Sequence, residues 1–242
     1  MVLEILEPSP FFAFSLTNHL MIYIIKLRQR FHKKEEPMLN RLKENYFFAV
    51  IRGKTVEDAI AIAKHAILGG IRNIEITYST PNASEVIRIL SAEFEHDDAV
   101  IIGAGTVMTP DLAREAIAAG ASFLVSPHFS SEIAEVANQA SNLYFPGCAT
   151  ATEIVTAMNA SCPIIKVFPG GVVGPGFIKD IHGPIPEVDL MPSGGVSIDN
   201  VKEWKNAGAV AVGIGSALAS RVEAEGYDSV TRIARAFVSA LD

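Results

Sequence analysis

Short runs of apolar and β-branched residues alternate along the chain with longer stretches whose apolar positions recur every three or four residues. The runs are Phe47–Arg52, Asn73–Tyr78, Ala99–Val107, Phe123–His128, Leu143–Gly147, Ile164–Gly170, Asp189–Gly195 and Ala209–Gly215. Each predicts a strand, and the starts lie 20 to 26 residues apart. Between most of them the spacing predicts helices, over Val56–Leu68, Ser84–Phe94, Leu112–Ala119, Ser131–Ala140 and Ile198–Ala207. Thr55, Asn82, Thr109 and Ser197 stand where helices want a capping side chain, and Gly69-Gly70, Gly120 and Gly208 where they stop. Apolar strands joined by helices imply a parallel sheet covered on both faces. Eight such units in sequence predict a closed (β/α)8 or TIM barrel, an α/β single domain over residues 38–242.

A barrel of this kind keeps its chemistry at the C-terminal ends of the strands, so polar residues inside apolar strands carry the information. Lys166 stands in Ile-Ile-Lys-Val-Phe-Pro. Alternation turns Ile165 and Val167 toward the helices and points Lys166 and Phe168 into the barrel. A buried ammonium is costly, and an amine nucleophile requires the neutral form; a structural lysine paired with a barrel carboxylate is the other reading. Glu75, in Asn-Ile-Glu-Ile-Thr-Tyr, faces inward by the same rule, together with Thr77. It reads either as that ion-pair partner or as the proton shuttle of a Schiff-base enzyme.

Thr106 closes Ile-Ile-Gly-Ala-Gly-Thr-Val, where glycines admit a close ligand and the hydroxyl can hold a carboxylate or keto oxygen. Ser193-Gly194-Gly195 precedes a helix pattern, and Gly215-Ser216 follows the eighth strand. These are the two places where barrels bind a phosphate through backbone N–H groups. The six histidines have no ligand spacing, so no metal is expected. His128 is the one at a strand end. Cys148, also at a strand end, and Trp204 read as packing residues.

Composition narrows the classes. With 49% hydrophobic and 19% charged residues the chain is globular, and a net charge of −7 with no basic stripe argues against nucleic acid. Two cysteines exclude a disulfide framework and fit a reducing, cytoplasmic compartment. Residues 1–37 read as an N-terminal extension, disordered or a non-native start. Its apolar run, Phe11–Ile25, is too short to span a membrane and is interrupted by Asn18 and His19; basic residues follow it, whereas a secretory signal has them in front. No membrane is expected as a partner.

Eight segments in order carry a resemblance to the 2-keto-3-deoxy-6-phosphogluconate (KDPG) and 4-hydroxy-2-oxoglutarate (KHG) aldolases. They are AVIRG (49–53), IEITYSTP (74–81), IIGAGTV (101–107), VSPHFS (125–130), FPGCATATE (145–153), IKVFPGGVVGPGFIKDIHGPIP (165–186), MPSGGVSIDN (191–200) and VGIGSAL (212–218). The resemblance covers about Leu42 to Leu241. It implies a class I aldolase of carbohydrate metabolism that needs no cofactor. The reaction implied is cleavage of KDPG, in the Entner–Doudoroff route, to pyruvate and glyceraldehyde 3-phosphate, or of KHG to pyruvate and glyoxylate. The galactonate epimer of KDPG, or a non-catalytic barrel binding a phosphorylated ligand, are the rival readings. It implies further that Lys166 forms the Schiff base and Glu75 is the acid/base. Thr106 would meet the pyruvate carboxylate and Phe168 would pack over the site. The 193–195 and 215–216 loops would take the phosphate, in a homotrimer. Some members carry an arginine where this chain has Ser79, and Arg52 is its substitute here.

Overall fold

The computed structural model describes residues 36–241. The expectations for residues 1–35 therefore lie outside the described residues; 36 and 37 are helical. Helix α1 runs over 36–45 and leads into β1 (Phe47–Ile51). There follow α2 (Val56–Leu68), β2 (Asn73–Thr77), α3 (Ala83–Glu93), β3 (Ile101–Gly105), α4 (Pro110–Ala118), β4 (Phe123–Val125) and α5 (Ser131–Ala140). The second half comprises β5 (Leu143–Phe145), β6 (Gly147–Cys148), α6 (Ala151–Asn159), β7 (Ile165–Val167), α7 (Gly170–His182), β8 (Leu190–Pro192) and α8 (Val201–Asn206). It ends with β9 (Val212–Ile214) and three helices, α9 (Ser216–Ala219), α10 (Val222–Glu225) and α11 (Asp228–Ser239).

All pairings are parallel. Six strands run in the order β5-β4-β3-β2-β1-β9 and three in the order β6-β7-β8. Two seams join the groups into one ring. Ser193, just past β8, bridges Gly213 of β9, and β5 passes into β6 through Pro146, whose carbonyl accepts from Lys166 N at 2.9 Å. Proline has no N–H to give the ladder, so one barrel strand is interrupted there rather than ended. Counted this way the ring has eight strands, as the alternation predicts. The structure is a TIM-barrel fold.

Two cores follow from the alternation. Ala49, Ile51, Ile74, Ile76, Ile102, Leu124, Ile165, Val167, Leu190, Val212 and Ile214 face outward and are buried under the helices. Inside, Phe48, Phe123 and Phe145 are fully buried and form the floor, with ring centroids 5.3 to 6.2 Å apart. Each ring removed from water contributes roughly 1.5–3 kcal/mol. Gly103 exists for this floor: a β-carbon there would stand 2.5 Å from the Phe123 ring. At the N-terminal end, Asn73 donates to the Leu42 carbonyl (2.9 Å) and accepts from Asn45 (2.8 Å), which ties β2 to α1.

The observed strands are shorter than the apolar runs. β4 ends at Val125 because the Ser126 hydroxyl bonds the His128 carbonyl and Tyr144 (2.6 Å to its phenol oxygen), turning the chain before Pro127. Thr55 and Thr109 cap as expected, accepting from Asp58 N and Leu112 N. Asn82 does not: it adopts a left-handed conformation without a side-chain cap bond. Helix α8 starts at Val201 rather than Ile198, because Asn200 bridges the Ser197 N–H (2.9 Å) and the Gly195 carbonyl (2.8 Å). Among the described residues no helix is long and apolar enough to cross a membrane.

Candidate active site

The inner face of β2 is a polar column of three buried residues, Asn73, Glu75 and Thr77. The lowest is bonded to α1. The highest, Thr77, donates to the Ile51 carbonyl and shares a hydrogen bond with Ser79, both at 2.8 Å. Between them Glu75 is 1% exposed and neither of its oxygens has a hydrogen-bond partner among the described residues. A carboxylate placed so is expensive to ionise. Burial raises the Glu75 carboxyl above its ordinary value, opposed by the nearby charges of Lys166 and, next, Arg52.

Across the lumen Lys166 points inward from β7, 6% exposed, with its Nζ 4.0 Å from Glu75 Oε1. That separation leaves the pair short of a direct hydrogen bond and open to a reacting atom between them. Phe168, half-buried, lies beside the amine, with Nζ 5.1 Å from its ring centroid. The inward pair Lys166 and Phe168, and the outward pair Ile165 and Val167, are disposed as period-two alternation requires.

Glycines on the neighbouring strands serve these polar groups. A β-carbon on Gly105 would fall on the Glu75 carboxylate, 2.6 Å from Cγ. One on Gly213 would stand 2.7 Å from Ser193 Oγ. In the sequence Gly105 reads as room for a ligand; the structure fills the space with the protein's own side chain. Sequence reasoning missed that function, because the Gly-Ala-Gly period is visible in the chain but its register against Glu75 is set by the β2–β3 pairing.

The strand ends complete the rim. Thr106 follows β3 with a φ of 55°, a left-handed conformation uncommon for threonine, and strain of this kind concentrates at functional sites. Arg52 follows β1 and is exposed. The loops after β7 and β8 are stitched together, Ser193 N donating to the Val167 carbonyl (3.0 Å) and Gly170 N to the Ser193 carbonyl (2.8 Å). Gly194 and Gly195 have φ of 83° and 76°, and a β-carbon on Gly195 would stand 2.5 Å from Gly171 Cα, so glycine is required there twice over. The Ser193–Gly213 bridge sets this loop beside Gly215-Ser216.

The remaining candidates take quieter places. Cys148 and Cys162 are buried free thiols that burial pushes up to about 12, which suppresses the reactive thiolate. Trp204 is 1% exposed in the outer core. His128 is half-buried past β4, and its Nδ1 has no partner among the described residues.

A family profile described as KDPG and KHG aldolase matches residues 38–233. A 2-dehydro-3-deoxy-6-phosphogalactonate aldolase of Escherichia coli K12 is 33% identical, over 70% of this chain and 82% of its own length. A 2-dehydro-3-deoxy-phosphogluconate aldolase of Pseudoalteromonas atlantica is 36% identical over 77% and 86%. Among solved structures, the KDPG aldolase of Legionella pneumophila, with pyruvate captured as a covalent carbinolamine, superimposes with a TM-score of 0.73 at 29% identity, covering 79% of this chain and 93% of that one. The motifs, the barrel and these likenesses agree, and the chain belongs to the KDPG and KHG aldolase family.

Proposed function

We propose that the chain is a class I aldolase that cleaves 2-dehydro-3-deoxy-6-phosphogluconate to pyruvate and glyceraldehyde 3-phosphate through a Schiff base on Lys166. The observation that carries this is the buried Lys166 amine 4.0 Å from a buried carboxyl, Glu75, that has no other partner among the described residues. The amine attacks the C2 ketone, and Glu75 supplies the proton that makes the oxygen a hydroxyl. Loss of that hydroxyl as water leaves an iminium. Removal of the C4 hydroxyl proton then breaks C3–C4: the aldehyde departs, and the bonding pair flows into the iminium to give an enamine. Protonation at C3 and attack of water release pyruvate and the free amine. A carboxyl held above the ordinary range can both give and take protons in this sequence.

In the same reading Thr106 meets the pyruvate carboxylate end and Phe168 excludes water above the amine. Arg52 holds an anionic group, while Ser193–Gly195 and Gly215–Ser216 receive the phosphate through backbone N–H groups. The fit of Gly105 to Glu75 supports a fixed place for the carboxyl, and that of Gly213 to Ser193 a fixed place for the Ser193–Gly195 loop. The E. coli relative's name favours a second substrate, the galactonate epimer, and the family description a third, KHG with glyoxylate as product. We further infer a cytoplasmic homotrimer working in Entner–Doudoroff carbohydrate breakdown. Family likeness supports it, as do two free buried thiols in place of a disulfide.

Borohydride with pyruvate tests the chemistry. The expected result is a pyruvate-sized mass on the peptide containing Lys166, undiminished by EDTA. A label on another lysine overturns the assignment of Lys166, and no label at all overturns the Schiff base and favours a phospholigand-binding barrel. Pyruvate release from the two epimers and from KHG ranks the substrates.

A further inference from the structure

The turn after β1, which carries Arg52, is short, exposed and fixed by an unusual number of bonds. Gly53 N donates to Thr80 Oγ1 at 3.1 Å, and Thr80 is itself buried. A β-carbon on Gly53 would stand 2.6 Å from Ala59 Cβ, so the turn lies flat against the start of α2. Lys54 N donates to Asp58 Oδ2 (2.7 Å), and Asp58 N to Thr55 Oγ1 (3.2 Å). Bonds like these begin many helices.

The other oxygen of Asp58 does something a helix start does not need. Oδ1 accepts from the Tyr227 hydroxyl at 2.9 Å, across 169 positions of sequence. The Tyr227 ring stacks on His65 of α2, centroids 5.9 Å apart and planes 27° apart, and Lys54 pairs with Glu223. Tyr227 and Glu223 belong to the segment that leaves β9 through Gly215-Ser216. The bases of the two loops are set by β1–β9 register, with Ala49 opposite Ile214. Beyond the sheet, Asp58 and Tyr227 join them again.

We propose that the Asp58–Tyr227 hydrogen bond is a brace that fixes the separation between Arg52 and the Gly215-Ser216 loop, and so selects keto acids long enough to engage both. The inference rests on the reading that Arg52 and the glycine loops hold the two anionic ends of the substrate. Asp58 and Tyr227 touch neither end; they are positioning residues. Holding a loop in its bound geometry beforehand removes the ordering cost from the binding step, and a misplacement of about 1 Å is enough to cost a large factor.

Tyr227→Phe deletes the hydroxyl and keeps the ring on His65. The expected result is a rise of roughly tenfold in KM for the phosphorylated keto acid with kcat within about twofold. Deuterium exchange at C3 of pyruvate, which has one anionic group, should stay within about twofold of the parent chain. Calorimetric titration with 6-phosphogluconate, which carries a carboxylate and a phosphate at the two ends of a six-carbon chain and has no ketone to turn over, should weaken by a comparable factor. Asp58→Ala should reproduce the loss. Asp58→Asn should restore affinity, because its carbonyl can accept from Lys54 N while its amide donates to the Tyr227 oxygen. Folded Tyr227→Phe and Asp58→Ala chains with unchanged KM and unchanged 6-phosphogluconate affinity overturn the brace. So does an equal loss in pyruvate exchange, or a parent chain that does not bind 6-phosphogluconate. If the parent binds it and the variants weaken it, yet pyruvate is neither exchanged nor trapped, the aldolase reading fails and the brace stands.

Discussion

Glu75 and Gly105 occupy one space between them: the carboxylate on β2 lies where a side chain on β3 would begin, 2.6 Å from Cγ to the position of a β-carbon. The two strands pair in register, with Glu75 opposite Gly103 and Thr77 opposite Gly105. The glycine period of β3 therefore makes room, first for the Phe123 ring and then for the Glu75 carboxylate. The inward polar residue of one strand is bought with bare backbone on the next.

Gly105→Ala follows directly. Its methyl group must displace the Glu75 carboxylate from its place opposite Lys166, because Gly105 lies in a strand and cannot retreat. We expect a folded chain destabilised by about 1–3 kcal/mol, as overpacked cores are. We also expect kcat to fall roughly a hundredfold as the proton shuttle is misplaced. Thermal melts and steady-state kinetics check both. A variant with parental kcat would mean that the carboxylate has no fixed place in the reaction.

Glu75→Gln separates the chemistry from the cost of burying the acid. We expect kcat to fall by roughly 10²–10⁴ with the fold intact. The stability difference should also depend on pH, with a definite sign. Burial raises the Glu75 carboxyl from its ordinary value of 4.5 despite Lys166 and Arg52. Between the unfolded and the folded value the native chain binds the extra proton, so stability from this group is complete below the unfolded value and is lost as pH rises through the folded one. The Gln variant, which has no proton to lose, should gain on the parent as pH rises from about 4.5. Melting curves across that range that stay parallel would contradict the raised carboxyl.

The floor makes a contrasting prediction. Phe145 is fully buried between Phe48 and Phe123, below the polar pair. Phe145→Ala should cost about 3–5 kcal/mol through the cavity it leaves. In a chain of this size that lowers Tm by roughly 10 °C. Well below the new Tm, KM should be close to the parent's, which activity assays on the cool side of the melt can check.

Much of this site was legible in the chain because the relevant signals are local. Period-two alternation in Ile-Ile-Lys-Val and Asn-Ile-Glu-Ile sets Lys166 and Glu75 inward, and both point there. Strand ends were less legible. The run Ala99–Val107 reads as one strand, yet β3 holds only Ile101–Gly105, since Asp97 closes a turn onto Val100 N and Thr106 turns left-handed. Apolar residues continue past the last ladder bond because the helices cover them too. Helix α7 was illegible for another reason. Gly-Gly-Val-Val-Gly-Pro-Gly opposes helix by every propensity, and the segment is helical on either side of a break at Gly174, where φ is 73°. The contact between Asp58 and Tyr227 spans most of the barrel and leaves no periodic trace.

The last prediction concerns Arg52, where this chain has Ser79 in place of an arginine that some relatives carry. Ser79 supplies no charge, and its hydroxyl is engaged with Thr77 at 2.8 Å. Arg52 is exposed at the end of β1, and its charge reaches Glu75, on which it acts to lower the carboxyl. A guanidinium makes the planar fork that a carboxylate matches in pairs of hydrogen bonds, whereas backbone N–H groups in glycine loops suffice for a phosphate. We therefore assign the shared carboxylate to Arg52. Arg52→Ala should raise KM for phosphorylated and unphosphorylated keto acids by a similar factor, about ten- to a hundredfold for the loss of a charge-assisted pair. Measuring kcat/KM for KDPG and KHG side by side decides the matter. A loss confined to the phosphorylated substrate moves Arg52 to the phosphate, and no loss with either makes it a surface residue of the turn. The Glu75→Gln variant supplies the control, because it should depress kcat for both substrates whichever anion Arg52 holds.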